Sequence, residues 1–139
     1  MSSQQLIADS KKIKIEVGVT CLKKIKIKVD KSKIEQALQN ILNNAIKYSP
    51  TGSIINLDCK KEKDDFICSV KDRGIGIPQY QHNRVFEKFF RADNVISTGS
   101  GTGLGVYISR YIVLGHGGRM WFESQENKGT TFYISLPIK

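Results

Sequence analysis

Apolar residues in the second quarter of the chain recur with the period of an α-helix. They stand at intervals of three and four residues, which places them on one face of a helix. These positions are Ile34, Leu38, Ile41, Leu42 and Ala45. Asp30 precedes the run as an N-cap residue, and Pro50 follows it as a helix breaker. The pattern predicts a helix from about residue 31 to residue 47 with one buried stripe.

Alternating apolar and polar residues predict strands on both sides of this helix. The predicted strands cover residues 12–17, 24–29, 54–60, 66–71, 119–123 and 130–136. A second helical pattern runs from Leu104 through Ile112 and ends at the glycines that begin with Gly115. From about residue 79 to residue 102 the pattern is irregular, with one short helix that ends at Phe90.

These elements predict an α+β protein in which helices cover one face of a mixed sheet. The chain of 139 residues has the length of one domain, which we expect to span residues 1–139. The formal net charge of +9 suggests a nucleic-acid partner. However, many of the lysines lie between residues 11 and 33, where they alternate with Ile and Val as on the polar face of a strand. We therefore expect no nucleic-acid partner.

A glycine-rich segment lies directly before the second helix. It contains Gly99, Gly101, Gly103 and Gly105 within seven residues. Glycine lets the backbone approach a ligand closely, and the N-terminus of a helix offers unpaired N–H groups, so the combination suits phosphate. The spacing matches neither the P-loop nor the dinucleotide-binding fingerprint. A flexible surface loop explains the same glycines almost as well.

Polar residues follow one edge of the first helix. Asn40, Asn44, Lys47 and Tyr48 stand at positions i, i+4, i+7 and i+8. An amide oxygen can ligate Mg²⁺ when phosphates supply the charge, and a lysine can meet phosphate as a point charge. The alternative is an ordinary solvated helix edge.

Asp72 closes a predicted strand and opens a loop that contains Gly74 and Gly76. A carboxylate there can accept a hydrogen bond from the adenine amine, but it cannot favourably face the guanine O6, which is also an acceptor. A turn aspartate is the alternative. Further along, Arg91 can reach phosphate bidentately, whereas the phenylalanines before it fit packing anchors. His82 is expected at the surface, and His116 in a structural role at a helix end.

In their order along the chain, these pieces resemble the motifs of the ATP-binding catalytic domain of bacterial sensor histidine kinases. That family belongs to the gyrase/Hsp90/histidine kinase/MutL superfamily. The corresponding segments are 40–48 for the N box, 72–78 for the G1 box, 86–91 for the F box, 99–105 for the G2 box and 129–132 for the G3 motif. Together they cover the chain from about Val29 to its C-terminus.

The resemblance implies a Bergerat-type two-layer α/β sandwich, with a mixed sheet of about five strands packed on three helices. It implies ATP bound under a lid at about residues 92–102. Asn44 would ligate Mg²⁺, and Asn40 would support the phosphates or the metal. Lys47 and Tyr48 would contact phosphate or ribose. The phosphate tail would be held by Arg91 and the segment that contains Gly99, Gly101, Thr102, Gly103, Leu104 and Gly105.

At the adenine end, the resemblance implies that Asp72 reads the amine. Gly74 and Gly76 would allow close approach, Ile77 would belong to the same binding loop, and Thr131 would help to seat the base.

The implied activity is transfer of the γ-phosphoryl group of ATP to a histidine on a partner dimerisation domain, with a response regulator involved indirectly. Asn40 stands where the hydrolysing members of the superfamily carry Glu. An amide cannot act as a general base, so hydrolysis should be slow. No residue matches the phosphoacceptor motif, so we expect an isolated, monomeric catalytic domain that binds Mg-ATP without efficient autophosphorylation.

The expected setting is the cytoplasmic portion of a membrane-anchored kinase. Two alternatives stay open. One is a serine kinase of the anti-sigma-factor type with the same fold, and the other is a non-catalytic basic module that binds nucleic acid.

Overall fold

The computed structural model describes residues 12–18, 29–88, 90 and 104–138. Its helical elements are α1 (Lys31–Tyr48), a short 3₁₀ helix (Gln79–Arg84) and α2 (Gly105–Gly115). The strands are β1 (Lys14–Val17), β2 (Ile54–Glu62), β3 (Asp65–Lys71), β4 (Arg119–Gln125) and β5 (Gly129–Pro137). Among these residues, no helix has the length and apolar character needed to cross a membrane.

The five strands form one mixed sheet in the order β1-β2-β3-β5-β4. β1 and β2 pair in parallel, which requires a crossover connection, and α1 lies within that connection; the remaining pairs are antiparallel. This arrangement confirms the predicted two-layer α+β sandwich with a mixed sheet. The predicted strand 24–29 lies, except for Val29, outside the described residues.

The core lies between the helices and one face of the sheet. On that face, register partners of β3 and β5 meet directly: Val70 faces Phe132, and Cys68 faces Ile134. These four side chains are all buried. Alternation along the strands sends the intervening residues to the opposite face. Burial of these apolar side chains between the helices and the sheet therefore stabilises the two-layer arrangement.

The buried face of α1 differs from the predicted stripe. Ala37 and Ile46 are fully buried, whereas the predicted Ile34, Leu38 and Leu42 are only half-buried. The reason is that α1 packs against α2 as well as against the sheet. The Ser109 hydroxyl of α2 donates to the carbonyl oxygen of Ala37 over 2.9 Å. This contact requires a small side chain on the flank of α1.

The predicted start of α1 is confirmed. The Asp30 Oδ1 atom accepts from the backbone N–H of Lys33 at 3.2 Å, as an N-cap residue does. His116 ties the end of α2 to this start: its Nδ1 donates to the Ile112 carbonyl at 2.8 Å, and its Nε2 accepts from the Asp30 N–H at 3.1 Å. Its predicted structural role is confirmed, and both bonds together require the neutral ring.

The short helix after the glycine loop ends at Arg84 and not at Phe90, so that predicted boundary is wrong. Beyond it the chain makes single turns, with Glu87 N–H bonded to Arg84 O at 2.9 Å and Phe90 N–H bonded to Glu87 O at 3.2 Å. These turns carry Phe86 and Phe90 against the core, where their predicted role as packing anchors is confirmed, while the third predicted anchor, Phe89, lies outside the described residues.

Candidate functional site

Asp72 lies directly after β3 and has only 7% of its surface exposed. Its Oδ1 accepts from the N–H of Gly74 at 2.9 Å and from the N–H of Thr130 at 3.2 Å. Its own N–H donates to Thr130 O at 2.9 Å. Burial raises the pKa of this carboxyl to about 6, although the two N–H donors act in the opposite direction. The carboxylate is thus fixed through Oδ1, and Oδ2 is left to accept from a ligand.

The glycines after Asp72 are required by packing between backbones. A Cβ atom on Gly74 would overlap the carbonyl oxygen of Tyr48, the last residue of α1. Gly76 has φ +70°, and a Cβ there would overlap the carbonyl oxygen of Gln125. These two glycines therefore bring the loop close to neighbouring backbone, a role that the expectation of approach to a ligand did not include.

The β4–β5 turn packs against the same loop. Gly129 has φ +130°, and a Cβ there would overlap the carbonyl oxygen of Asp72. Asn127 donates its N–H to Ile75 O at 2.6 Å. The loop and the turn are consequently in contact at Asp72 and again at Ile75.

Thr130, and not Thr131, is the threonine next to Asp72. Thr130 is buried and lies opposite Ser124 in the β4–β5 register. Thr131 is the next residue, so its side chain emerges on the other face of the sheet, opposite Glu123. The strand register thus decides which of the two threonines contacts Asp72, and it is Thr130.

Two residues that sequence reasoning missed hold Ile77. The Ser124 Oγ accepts from the Ile77 N–H at 2.8 Å, and the His82 Nε2 donates to Ile77 O at 2.9 Å. The His82 ring also packs edge-on against Phe122, with 5.1 Å between ring centroids. The predicted surface position of His82 is therefore wrong. The polar neighbours of His82 in sequence carried no signal of this contact with β4.

The polar edge of α1 lies beside the start of α2. Asn40, Asn44 and Tyr48 are half-buried, and Lys47 is exposed. A Cβ atom on Gly105 would lie 3.7 Å from the Cβ of Asn40, an ordinary contact distance. The start of α2 and the Asn40 side chain of α1 thereby lie side by side.

This edge can provide a metal with neutral oxygen ligands. Within the described ranges, no cluster of three His, Cys, Asp or Glu residues that could hold a metal ion is found. A divalent cation here would take an amide oxygen from the protein and its charge compensation from a phosphorylated ligand. That donor chemistry fits Mg²⁺ brought in with a nucleotide.

Several predicted site residues lie outside the described residues. They are Arg91, Gly99, Gly101, Thr102 and Gly103, together with the predicted lid at 92–102. Leu104 and Gly105 are described, and both are half-buried at the start of α2.

Comparison with known proteins adds a family to this geometry. Residues 29–139 match the family described as histidine kinase-, DNA gyrase B-, and HSP90-like ATPase. The chain is 43% identical over 116 residues to the sensor histidine kinase WalK of Bacillus subtilis. It is 38% identical over 109 residues to the sensor-like histidine kinase SenX3 of Mycolicibacterium smegmatis.

The aligned regions cover 81% and 78% of this chain but only 19% and 28% of WalK and SenX3 respectively. The chain therefore spans less than a third of the length of these two relatives.

Solved structures show the same architecture. The mycobacterial sensor histidine kinase MprB superimposes with a TM-score of 0.80 at 28% identity, over 97% of this chain and 90% of that one. The catalytic domain of the histidine kinase ThkA, in a nucleotide-free form, gives a TM-score of 0.78 at 27% identity, over 96% and 84% of the two chains. The chain belongs to the family of histidine kinase-, DNA gyrase B- and HSP90-like ATPases, as an ATP-binding catalytic domain of the sensor histidine kinase type.

Proposed function

We propose that this chain binds Mg-ATP with the adenine amine on Asp72 and donates the γ-phosphoryl group to a histidine of a partner domain. The observation that carries the proposal is the buried Asp72 carboxylate. Two backbone N–H groups hold its Oδ1. A carboxylate is costly to bury, so its position after β3 is best explained by a ligand that donates a hydrogen bond to it.

The phosphates would lie at the edge of α1 that faces the start of α2. Asn44 would hold Mg²⁺ through its amide oxygen, with Asn40 supporting the metal or the phosphates. Lys47 and Tyr48 would contact phosphate or ribose. When bound, the metal neutralises charge on the phosphates, and the N-terminus of α2 beside Gly105 adds favourable N–H groups. Arg91 and the residues Gly99, Gly101, Thr102, Gly103 and Leu104 complete this proposal for the phosphate tail.

A phosphoryl donor is favoured over a hydrolase by the residue at position 40. Asn40 is an amide and cannot take a proton from water, so no general base is provided at this position. The acceptor would instead arrive on a histidine-bearing dimerisation domain, as part of two-component signalling that passes the phosphoryl group to a response regulator. We infer a single nucleotide-binding domain that serves as the cytoplasmic part of a membrane-anchored sensor kinase.

Nucleotide binding is tested by isothermal titration of the chain with Mg-ATP and Mg-GTP. Asp72 should favour ATP by at least about tenfold, since a carboxylate facing guanine O6 leaves two acceptors opposed. Titration with ATP in the presence of EDTA tests the metal: binding should weaken strongly. Equal affinity for ATP and GTP would remove the role of Asp72.

Phosphoryl transfer is tested by mixing the chain and radiolabelled ATP with a histidine-bearing dimerisation domain of a sensor kinase. The matched control is the same domain with its histidine replaced by alanine. We expect label on the first domain only, and we expect acid to remove it, because phosphohistidine is acid-labile. An acid-stable label on serine would instead support a serine kinase.

A further inference from the structure

We propose that Ser124 and His82 are positioning residues for the nucleobase, because they hold the peptide groups on both sides of Ile77. This inference rests on the proposed function, in which Ile77 belongs to the adenine end of the site. Neither residue needs to touch the nucleotide. They act through Ile77 and, in the case of Ser124, also through Thr130.

Ser124 joins the glycine loop to the β4–β5 hairpin. Its Oγ lies 2.8 Å from Ile77 N, 3.1 Å from Gly129 O and 2.8 Å from Thr130 Oγ1. A serine hydroxyl has one proton and two lone pairs. The proton goes to Gly129 O, and the lone pairs accept from the Ile77 N–H and from the Thr130 hydroxyl. The hydrogen-bonding capacity of Ser124 is then completely used.

This proton count has a consequence for Thr130. When Thr130 donates its only hydroxyl proton to Ser124, its Oγ1 presents lone pairs alone to any ligand. Thr130 is also the residue whose N–H holds Asp72 Oδ1 at 3.2 Å. Ser124 therefore sets the hydrogen-bonding polarity of the hydroxyl on the residue whose backbone N–H holds the carboxylate, and with it the pattern of acceptors offered to a nucleobase.

His82 completes the hold on Ile77 from the other side. Its Nε2 donates to Ile77 O at 2.9 Å, and its half-buried ring is oriented by the edge contact with Phe122 on β4. Ser124 is also on β4. One strand thus anchors both hydrogen bonds to Ile77, and the loop is fixed between Asp72 and Ile77. A base that spans these two residues meets a site with little freedom to rearrange.

The test compares Ser124→Ala and His82→Phe with the unchanged chain by titration with Mg-ATP. The phenylalanine keeps an aromatic ring against Phe122 but removes the donor to Ile77. We expect each change to weaken ATP binding about five- to tenfold, because each removes the hydrogen bond that holds one side of Ile77. Because both residues hold the same residue, the double variant should lose less than the product of the single losses.

Conservative variants and a matched control separate positioning from general stability. Ser124→Thr and His82→Gln keep a hydroxyl and a side-chain N–H donor, so they should restore most of the affinity. Ser109→Ala removes another buried hydroxyl, the one bonded to Ala37 O between α1 and α2. It should lower the melting temperature and leave the ATP affinity unchanged.

A second measurement needs no nucleotide. Hydrogen exchange of the Ile77 amide should be slow in the unchanged chain and at least about tenfold faster in Ser124→Ala, because its acceptor is gone. Unaltered exchange, or a Ser124→Ala variant that loses stability but binds ATP normally, would overturn the proposal.

Failure of the proposed function has a different signature. In that case Asp72→Asn would bind ATP with the affinity of the unchanged chain, regardless of the affinity measured for Ser124→Ala. Intact dependence on Asp72 combined with indifference to Ser124 and His82 would refute this inference alone.

Discussion

Replacing Asp72 by asparagine should stabilise the folded chain and weaken its binding of ATP. Burial raises the pKa of Asp72 from 3.8 to about 6. One pKa unit corresponds to about 1.4 kcal/mol, so keeping this carboxyl ionised in the folded chain costs on the order of 3 kcal/mol at neutral pH. Asparagine carries no charge, and its Oδ1 can still accept from the Gly74 and Thr130 N–H groups.

The sign of the pH dependence follows from proton binding. Between about pH 4 and pH 6 the folded chain holds its Asp72 proton more tightly than the unfolded chain does. The free energy of unfolding therefore falls as pH rises through this range, and the full penalty is present above it. Asp72→Asn should increase the free energy of unfolding on the order of 2–3 kcal/mol at pH 7.5 and hardly at all at pH 4. Urea unfolding at both pH values measures this difference.

Binding should change in the opposite direction. Asparagine would place an NH₂ donor at the Oδ2 position, where it would oppose the amine of an adenine bound as proposed. The lost charge-assisted hydrogen bond and the unpaired donors together cost about 3 kcal/mol or more, which corresponds to at least about a hundredfold weaker binding. In the unchanged chain, ATP affinity should increase from pH 5 to pH 7 as Asp72 ionises, and Asp72→Asn should abolish this increase.

The exposed Asp64 provides the matched control, and Asp64→Asn should alter neither stability nor ATP binding. The reasoning would be refuted by an Asp72→Asn variant that is less stable at pH 7.5, or by one that retains its ATP affinity. The first result would mean that the ionised carboxylate stabilises the loop. The second would mean that Asp72 does not meet the ligand.

Three further predictions concern the loop, the metal and the strand register. Gly76→Ala should cost at least about 1–2 kcal/mol in urea unfolding, because φ is +70° and a Cβ would overlap Gln125 O; an unchanged midpoint would show that the loop can move away. Asn44→Ala should lower ATP affinity in Mg²⁺ but have little effect in EDTA, and equal losses in both titrations would argue against a metal ligand. Thr130→Val should weaken ATP binding about tenfold, whereas Thr131→Val should not. A loss of binding in Thr131→Val alone would place the site on the other face of the sheet.

Local patterns predicted the elements that local physics controls. α1 was predicted to within a residue at both ends because Asp30 caps it and Pro50 follows it. The strands β2 and β3 were predicted because the alternation of apolar and polar residues is visible within a few neighbouring residues. By contrast, Ala37 was not recognised as one of the most buried residues of α1, because α2 had to be in place to cover that flank.

The candidate site likewise contains residues that the sequence predicted and residues that it did not. Asp72 and the asparagines of α1 stood out because residue type and spacing already point to a chemistry. The partners of Asp72 and Ile77 did not, because Thr130 and Ser124 are about 50 residues away from them in sequence and reach the loop only through the β4–β5 hairpin. His82 was misplaced for the same reason, since its neighbour Phe122 belongs to a distant strand.

The sequence by itself determined the element types, the order of the motifs and the kind of ligand they suit, because periodicity, capping and donor chemistry act over a few residues. Only the tertiary structure decided which face of each element is buried, which of two adjacent threonines meets Asp72, and that the glycines of the loop serve backbone packing. Those outcomes depend on strand register and on contacts between segments that are far apart in the chain. A shift of one residue in register would turn every side chain of a strand to the opposite face of the sheet.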